Sequence, residues 1–583
     1  MSTKYNKFPS VKMPSEYTCY SDWDTICNQI TNDLSKINKS KKVVVVEFYH
    51  GIDENEIATE LISRLNPTYN INSSDAFLPE DEIKKMVFPD VTNDRIFGYF
   101  SRLTLDQYLD DEKIKTLNSK IKNTKEGLVL VSGVGASLVR KDWDILIYLD
   151  MARWEIQLRM RKQEVDNLGV KNRFDEYSLL YKQGFFVDWR VCDKHKKTLM
   201  NQLDYVIDTN TKLQPKMISG NTFLNGLLLT NSQPFSVVPF FDPGLWGGQW
   251  MKEVCDLDRT KENYAWCFNC VPEENSLLLQ FGDIMFETPS INLVFYQPKE
   301  LLGEAVYSRF GDEFPIRYDL LDTMDGGNLS LQVHPLTKYA QEHFGLNYTQ
   351  DESYYMLDVE DDAVVYLGTK EDTIPNDLIE DLKIAEQGEI PFNADKHIES
   401  WPIKKHDHIL IPAGTIHCSG KGSMVLEVSA TPYIFTFKLW DWGRIGMDGK
   451  PRPINTKHGE KVIDWARTTN WTKENLINRV EEIDKGNGWI EERTGLHETE
   501  FIETRRHWFT KSVTHNTNGG VNVISLVEGE QALVESPNNA FEPFVVNYIE
   551  TFIIPATVGE YTIRPYGNSI GKKLGTLKAF VRT

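Results

Sequence analysis

The sequence predicts a multidomain protein, an α/β domain on a parallel sheet followed by β-rich, barrel-like domains. Three observations carry this. The chain has 583 residues, more than a single hydrophobic core organises. Its first third alternates continuous β-branched runs with helical patterns, as a layered parallel sheet requires. Beyond about residue 215 strand patterns dominate, punctuated by Gly and Pro. The predicted boundaries are 1–215, 216–480 and 481–583.

Composition narrows the function classes. With 64 basic against 85 acidic side chains the net charge is −21, which argues against a general nucleic-acid binder and favours solubility. No apolar run reaches the roughly 18–20 residues of a membrane span. The opening Met-Ser-Thr-Lys-Tyr-Asn-Lys lacks the apolar core of an export signal. Seven cysteines without regular spacing do not read as a disulfide framework. The one close pair, Cys267-Phe-Asn-Cys270, lies in an aromatic, strand-like stretch and reads as buried thiols, with redox chemistry as the alternative. A cytoplasmic address is the expectation.

Taken in order, an amphipathic helix is predicted near Asp24–Ile37. Lys41-Lys-Val-Val-Val-Val-Glu47 is a buried parallel strand, followed by a turn at His50-Gly51 and a helical pattern over Glu54–Leu65. Gly127-Leu-Val-Leu-Val-Ser-Gly133 and Trp143–Asp150 are further strands, the latter running into a helix carrying Arg153, Arg159, Arg161 and Lys162. The order of Val43–Val46, Ser74-Asp75-Ala-Phe77, Val129–Gly133, Tyr148-Leu-Asp150 and the Arg-rich helix resembles the uridine kinase group of phosphate-loop kinases over about residues 40–215. The decisive motif is missing. A phosphate loop needs glycines, a Lys for the phosphates and a Ser or Thr for magnesium, and here the stretch is Glu47-Phe-Tyr-His-Gly-Ile-Asp53. The resemblance therefore implies a degenerate kinase-like domain without ATP binding or phosphoryl transfer, leaving docking, assembly or regulation as roles. Asp75 and Asp150 read as a helix cap and a strand end, with relics of a kinase site as the alternative.

The second half carries a candidate metal site. Leu329-Ser-Leu-Gln-Val-His-Pro335 alternates apolar and polar residues, so Gln332 and His334 share one face of a strand. Asp351-Glu-Ser-Tyr-Tyr-Met-Leu357 is a second strand, with Glu352 and Tyr354 on one face. A short helix is predicted over Pro375–Glu386. In His406–His417 the turn signal Pro412-Ala-Gly414 precedes His417, and Gly420–Val428 continues as the next strand. Gln332, His334, Glu352 and His417 then form a nitrogen and oxygen donor set without thiolate. It suits zinc and admits manganese, iron or cobalt. Two imidazoles and one carboxylate leave one net negative charge, and open positions remain for water or substrate. Arg444, Lys450 and Arg452 are basic residues beside a turn in an acidic chain, able to meet an anionic substrate or simply to form a solvated loop.

Together these phrases resemble the type I phosphomannose isomerases, which are metal-dependent cupins with a jelly-roll fold. The matching pieces occur in family order: Trp246-Gly-Gly248, Leu329–Pro335, Asp351-Glu352, Pro412–His417, Trp440-Asp-Trp-Gly-Arg444 and Asp448-Gly-Lys-Pro-Arg452. The resemblance covers about residues 235–465. It implies one zinc ion per chain on Gln332, His334, Glu352 and His417, other divalent metals being possible. It implies Arg444 facing a sugar phosphate, and interconversion of mannose 6-phosphate and fructose 6-phosphate through an enediolate. Lys450 and Glu427 are the candidate proton-transfer residues, and Trp246, Gln350 and Arg452 the candidate substrate contacts. Two departures bear on substrate and base. Gln350 stands where the family has a Lys, and Asn263-Tyr-Ala-Trp266 replaces its Gly-Glu-Ser-Trp phrase. Isomerisation of another phosphorylated sugar, or metabolite sensing without turnover, are the alternatives. Oligomeric state is left open by the sequence.

After a charged, partly helical linker, Thr472–Lys485, strands are predicted at Val521–Val527, Phe544–Ile554 and Gly559–Arg564. They read as a second, metal-free cupin module, with His507 and His515 as surface or packing residues.

Overall fold

The computed structural model describes residues 4–388, 390–430, 435–445, 454–495 and 497–583. The chain divides into two compact units, one of Ser10–Thr230 with Ser276–Tyr296 and the other of Met1–Pro9, Asn231–Asn275 and Gln297–Thr583. Among the described residues no helix is long and apolar enough to cross a membrane.

The first unit is built on a six-stranded sheet. Its order is Tyr69–Asn72, Gly127–Gly133, Lys41–Phe48, Ile145–Asp150, Tyr205–Asp208 and Lys216–Ser219. The first five strands run parallel, and the last is antiparallel to its neighbour. Val43–Val46 lie in the middle of it, paired along both edges, and their side chains are buried on both faces. That is why this segment reads as unbroken β-branched residues rather than as an alternation. Residues 216–230 belong to this unit and not to the next, because Lys216–Ser219 completes the sheet edge and the Gly220–Thr230 helix follows it. The hairpin of Ser276–Phe281 and Ile284–Pro289 also joins this unit, pairing with Ser10–Lys12. Sequence patterning assigned both pieces to the strand-rich half, since a strand's period does not say which sheet it enters.

At the end of the central strand Glu47 is buried. Its carboxylate accepts the backbone N–H groups of Gly135 at 2.6 Å and Ser137 at 2.7 Å. The following segment, predicted as one helix, runs as Glu54–Glu56, a wider-wound stretch Ile57–Ile62, and Ser63–Leu65.

The second unit contains two β-sandwich modules. In the first, a six-stranded antiparallel sheet has the order His408–Ile411, Glu352–Val359, Ser423–Ser429, Arg317–Asp322, Trp266–Cys270 and Phe240–Asp242. It is accompanied by a five-stranded sheet, Ile398–Pro402, Val364–Thr369, His417–Ser419, Leu331–Val333 and Phe437–Trp440. The helix Pro375–Glu386 forms where predicted, with proline in its first turn. Cys267 and Cys270 are buried free thiols. In the second module a six-stranded and a four-stranded sheet enclose a core of Phe509, Ile524, Val534, Phe552, Tyr561 and Ile563.

Two expectations need correction here. The segment 472–485 is not a linker. After the Thr469–Asn475 helix, Glu481–Gly486 forms an exposed edge strand paired with Trp489–Gly495, its charges turned to water. The predicted strand over 544–554 is two strands, Phe544–Asn547 and Thr551–Ile554, which enter different sheets. A turn with Ile549 at φ +62° separates them. His507 and His515 are buried packing residues, their rings 4.5 Å apart and edge to face.

His408 is fully buried, and neither ring nitrogen has a hydrogen-bond partner. Burial, reinforced by the Arg506 cation, pushes its pKa from 6.5 down to about 3. The unfolded chain therefore binds this proton more readily than the folded one. The stability tied to neutral His408 is fully present above the unfolded value of about 6.5 and is lost as pH falls toward the folded value, at about 1.4 kcal/mol per pH unit. His408→Phe should flatten the acid limb of the stability curve by that slope, as read from urea midpoints between about pH 4 and pH 7.

Candidate metal centre

Both sheets of the first sandwich contribute to one buried point. Leu331–Val333 is a short strand whose alternation turns Gln332 inward, away from Leu331 and Val333, with His334 just past its end. Gln332 sits in register with His417 on the adjacent strand. Glu352 opens the strand Glu352–Val359 in the other sheet. His417 follows a pinned turn. Gly414 there has φ +89°, and a side chain at that position would meet the Val462 carbonyl at 3.0 Å. Asp351 accepts the Ala413 N–H at 2.7 Å, and Arg467 donates to the Pro412 carbonyl at 2.6 Å.

The three chelating side chains converge. His334 Nε2 lies 3.0 Å from one Glu352 oxygen, and His417 Nε2 lies 2.9 Å from the other. One donor atom from each residue falls within 4.8 Å of the other two. Each imidazole is oriented by a carbonyl, which can only accept. His334 Nδ1–H donates to the Phe435 oxygen at 2.9 Å, and His417 Nδ1–H to the Thr415 oxygen at 2.9 Å. That leaves lone pairs on both Nε2 atoms, aimed at carboxylate lone pairs. The approaches are short, yet His334 Nε2 and Glu352 Oε1 have no partner in hydrogen-bonding geometry. Lone pairs converging in a buried space fit a cation. The Gln332 amide lies 3.1 Å from His417 Nε2, and the same position taken by its oxygen supplies a fourth donor. Burial works against the Glu352 charge, and positive charge on the His334 and His417 side of the carboxylate holds it well below the usual carboxylate range; with both imidazoles neutral, a cation bound between them would supply that charge.

Gln350 backs the site. Its amide N–H donates to Glu352 at 2.8 Å, and its oxygen accepts the Phe435 N–H at 3.0 Å. It therefore ties Glu352 to the segment that also orients His334. The sequence placed Gln350 at the substrate; the structure commits both ends of its amide to protein groups.

The Glu352 face continues into a polar interior of which sequence reading named Glu427 and missed Arg317 and Asp319. Across three neighbouring strands one row holds Glu352, Ser429 and Arg317, and the next row holds Tyr354, Glu427 and Asp319. Each row shares one face of the sheet. Arg317 and Asp319 form an ion pair at 3.1 Å with side chains 2% and 6% exposed. Even so, Arg317 Nε and Nη1 and Asp319 Oδ1 lack hydrogen-bond partners. Burial raises the proton affinity of both Asp319 and Glu427. The Arg317 cation opposes this at both, and the Glu352 charge adds to it. Native interiors satisfy such groups, so three orphaned atoms beside the His–Glu–His cluster mark an interior with unmet polar capacity. Arg317 and Asp319 lie in the Arg317–Asp322 strand, whose sequence, Arg-Tyr-Asp-Leu-Leu-Asp, does alternate charged and apolar residues at its start. That alternation was the available signal.

The remaining predicted residues fall elsewhere. Arg444 pairs with Asp441 at 2.8 Å and donates to the Asn328 carbonyl, bracing its own turn. Trp246 is buried edge to face against Trp266, with centroids 4.7 Å apart, and its carbonyl accepts the Gly327 N–H. Lys450 and Arg452 lie outside the described residues.

Known proteins resemble parts of this chain. A family model described as a domain of unknown function (DUF8485) matches residues 22–231. The mannose-6-phosphate isomerase ManA of Bacillus subtilis (strain 168) is 27% identical over 240 residues, covering 40% of this chain and 69% of that protein. The mannose-6-phosphate isomerase of Streptococcus mutans serotype c is 25% identical over 230 residues, covering 39% and 67%. A crystal structure of the Bacillus subtilis mannose 6-phosphate isomerase aligns with 60% of this chain and 99% of its own, at 19% identity and a TM-score of 0.47.

Two outcomes follow for the metal. His334→Ala or His417→Ala should abolish stoichiometric uptake of a divalent ion by chelator-stripped protein, measured by elemental analysis after gel filtration. Gln350→Ala should keep the stoichiometry and weaken affinity by about 10–100-fold, because it removes only the support of Glu352.

Proposed function

We propose that this protein is a metal-dependent aldose–ketose isomerase that interconverts mannose 6-phosphate and fructose 6-phosphate. The observation that carries this reading is the buried His334, Glu352 and His417 cluster, whose Glu352 shares a sheet face with Arg317, Asp319 and Glu427. Its relatives named mannose-6-phosphate isomerase, matched over about two thirds of their own length, supply the substrate class. In this reading Gln332, His334, Glu352 and His417 hold one zinc or similar divalent ion, which would act as a Lewis acid toward sugar oxygens.

The chain's own groups do the rest. Gln350 fixes the Glu352 carboxylate, and the two backbone carbonyls fix the imidazole rings, so the donors are arranged before any ligand arrives. Apolar neighbours, including Ile409 and Ile411 across from Tyr354 and Glu352, limit water at this face. Arg317 supplies a buried positive charge toward developing oxyanion character. Arg444, already engaged with Asp441, is assigned to holding the Asp441–Arg444 turn.

For the N-terminal unit we propose a role without phosphoryl transfer. Supporting this, the buried Glu47 carboxylate, at the start of the stretch where a phosphate loop would lie, accepts the Gly135 and Ser137 N–H groups and places a negative charge where an anion would have to bind.

Metal-loaded protein should convert mannose 6-phosphate to fructose 6-phosphate in a coupled assay. Chelation should stop the reaction and re-addition of the divalent ion should restore it. Conversion unaffected by complete metal removal would contradict the assignment. The full-length protein should show no binding of magnesium–ATP at micromolar concentrations by calorimetry.

A further inference from the structure

We propose that Asp319 is the base that carries the proton between the two reacting carbons, and that Glu427 is the acid that serves their oxygens. This rests on the isomerase reading above and assigns roles within it.

The register sets the two carboxyl groups directly opposite one another on adjacent strands, on the face that Glu352 shares. Their surroundings differ in kind. Arg317, two residues before Asp319 on the same strand and therefore on the same face, pairs with Asp319 at 3.1 Å. A buried guanidinium stays protonated, so its direct partner is the carboxylate that bears the negative charge. One Asp319 oxygen remains without a hydrogen-bond partner, and a base needs such a free lone pair. Glu427 has no cation within ion-pairing distance among the described residues. Across the sheet it faces Asp319 on one side and Tyr354 on the other. A buried carboxyl set opposite an ionised one, with no cation of its own, keeps its proton and acts as a donor.

The chemistry balances with these two groups alone. The Asp319 carboxylate removes the proton from C2 of the aldose. The C–H electron pair becomes the C1–C2 double bond, and the carbonyl π pair moves to O1, which takes the Glu427 proton. Glu427, now a carboxylate, removes the O2 proton. The O2 electron pair forms the ketose carbonyl, and the C1–C2 pair takes the proton from Asp319 at C1. Both groups end as they began, and no co-reactant is needed.

The test uses full-length, metal-loaded protein in deuterated water with mannose 6-phosphate, following turnover and deuterium entry at carbon by NMR. Asp319→Asn should lower kcat by about 10²–10⁴-fold, the usual worth of a positioned base. Metal content should stay at one per chain, KM should change little, and deuterium entry should disappear with turnover. Asp319→Glu, which keeps the charge and the Arg317 pair, should retain metal and recover part of the rate, and it keeps the test open if Asp319→Asn does not fold. Wild-type turnover by Asp319→Asn, or carbon exchange that survives in it and is lost in Glu427→Gln, would overturn the assignment. Absence of turnover in the metal-loaded wild type would instead overturn the isomerase reading, and the base assignment with it.

Discussion

Everything at the candidate centre depends on the Glu352 carboxylate. It meets one imidazole from Leu329–Pro335 and another from the turn after Pro412, one on each oxygen, in an interior with almost no solvent. Without a cation this arrangement is costly. Two neutral imidazole nitrogens turn lone pairs toward an anion, and water is not there to relieve them. The protein sustains it by fixing each participant from outside. Backbone carbonyls hold both rings, Gln350 holds the carboxylate, and Asp351 and Arg467 pin the turn that delivers His417. The site is paid for by rigidity around it, and a divalent ion held there would convert the cost into stabilisation.

The same logic extends along the sheet. Rows of polar side chains on the inner face of Arg317–Asp322, Ser423–Ser429 and Glu352–Val359 stand where a sandwich ordinarily packs apolar residues. An ion pair this deep, with unmet hydrogen-bonding capacity on both members, contributes little to stability by itself. Its persistence makes sense as a pre-arranged environment for a polar ligand. In the second sandwich the comparable interior is filled by Phe509, Ile524, Phe552 and Ile563, and the buried His507 and His515 lean on one another instead of converging on a carboxylate pair. The two modules share an architecture and differ in what their interiors were built to hold.

In the first unit the end of the central strand tells a complementary story. Glu47 occupies with its own side chain the N–H groups of Gly135 and Ser137. A carboxylate there stabilises the turn and at the same time repels an incoming anion.

Much was legible in the sequence because period and residue type are local properties. The β-branched run at Val43–Val46 required a strand buried on both faces, and the alternation in Leu329–Pro335 put Gln332 on the inner face, next to His334. Glu352 and His417 were legible as donor types beside a strand and a turn. What the sequence could not fix was which strands become neighbours. Asp319 and Arg317 gain meaning only because Arg317–Asp322 pairs with Ser423–Ser429, about a hundred residues later, bringing them opposite Glu427 and Ser429. Gln350 reads as a substitution in sequence and as a brace in space, since its partners Glu352 and Phe435 are brought together by the fold. Pairing register is a non-local choice, settled by burial and hydrogen bonding over the whole sheet. It decided which polar residues share an interior, and so which chemistry this protein is equipped to do.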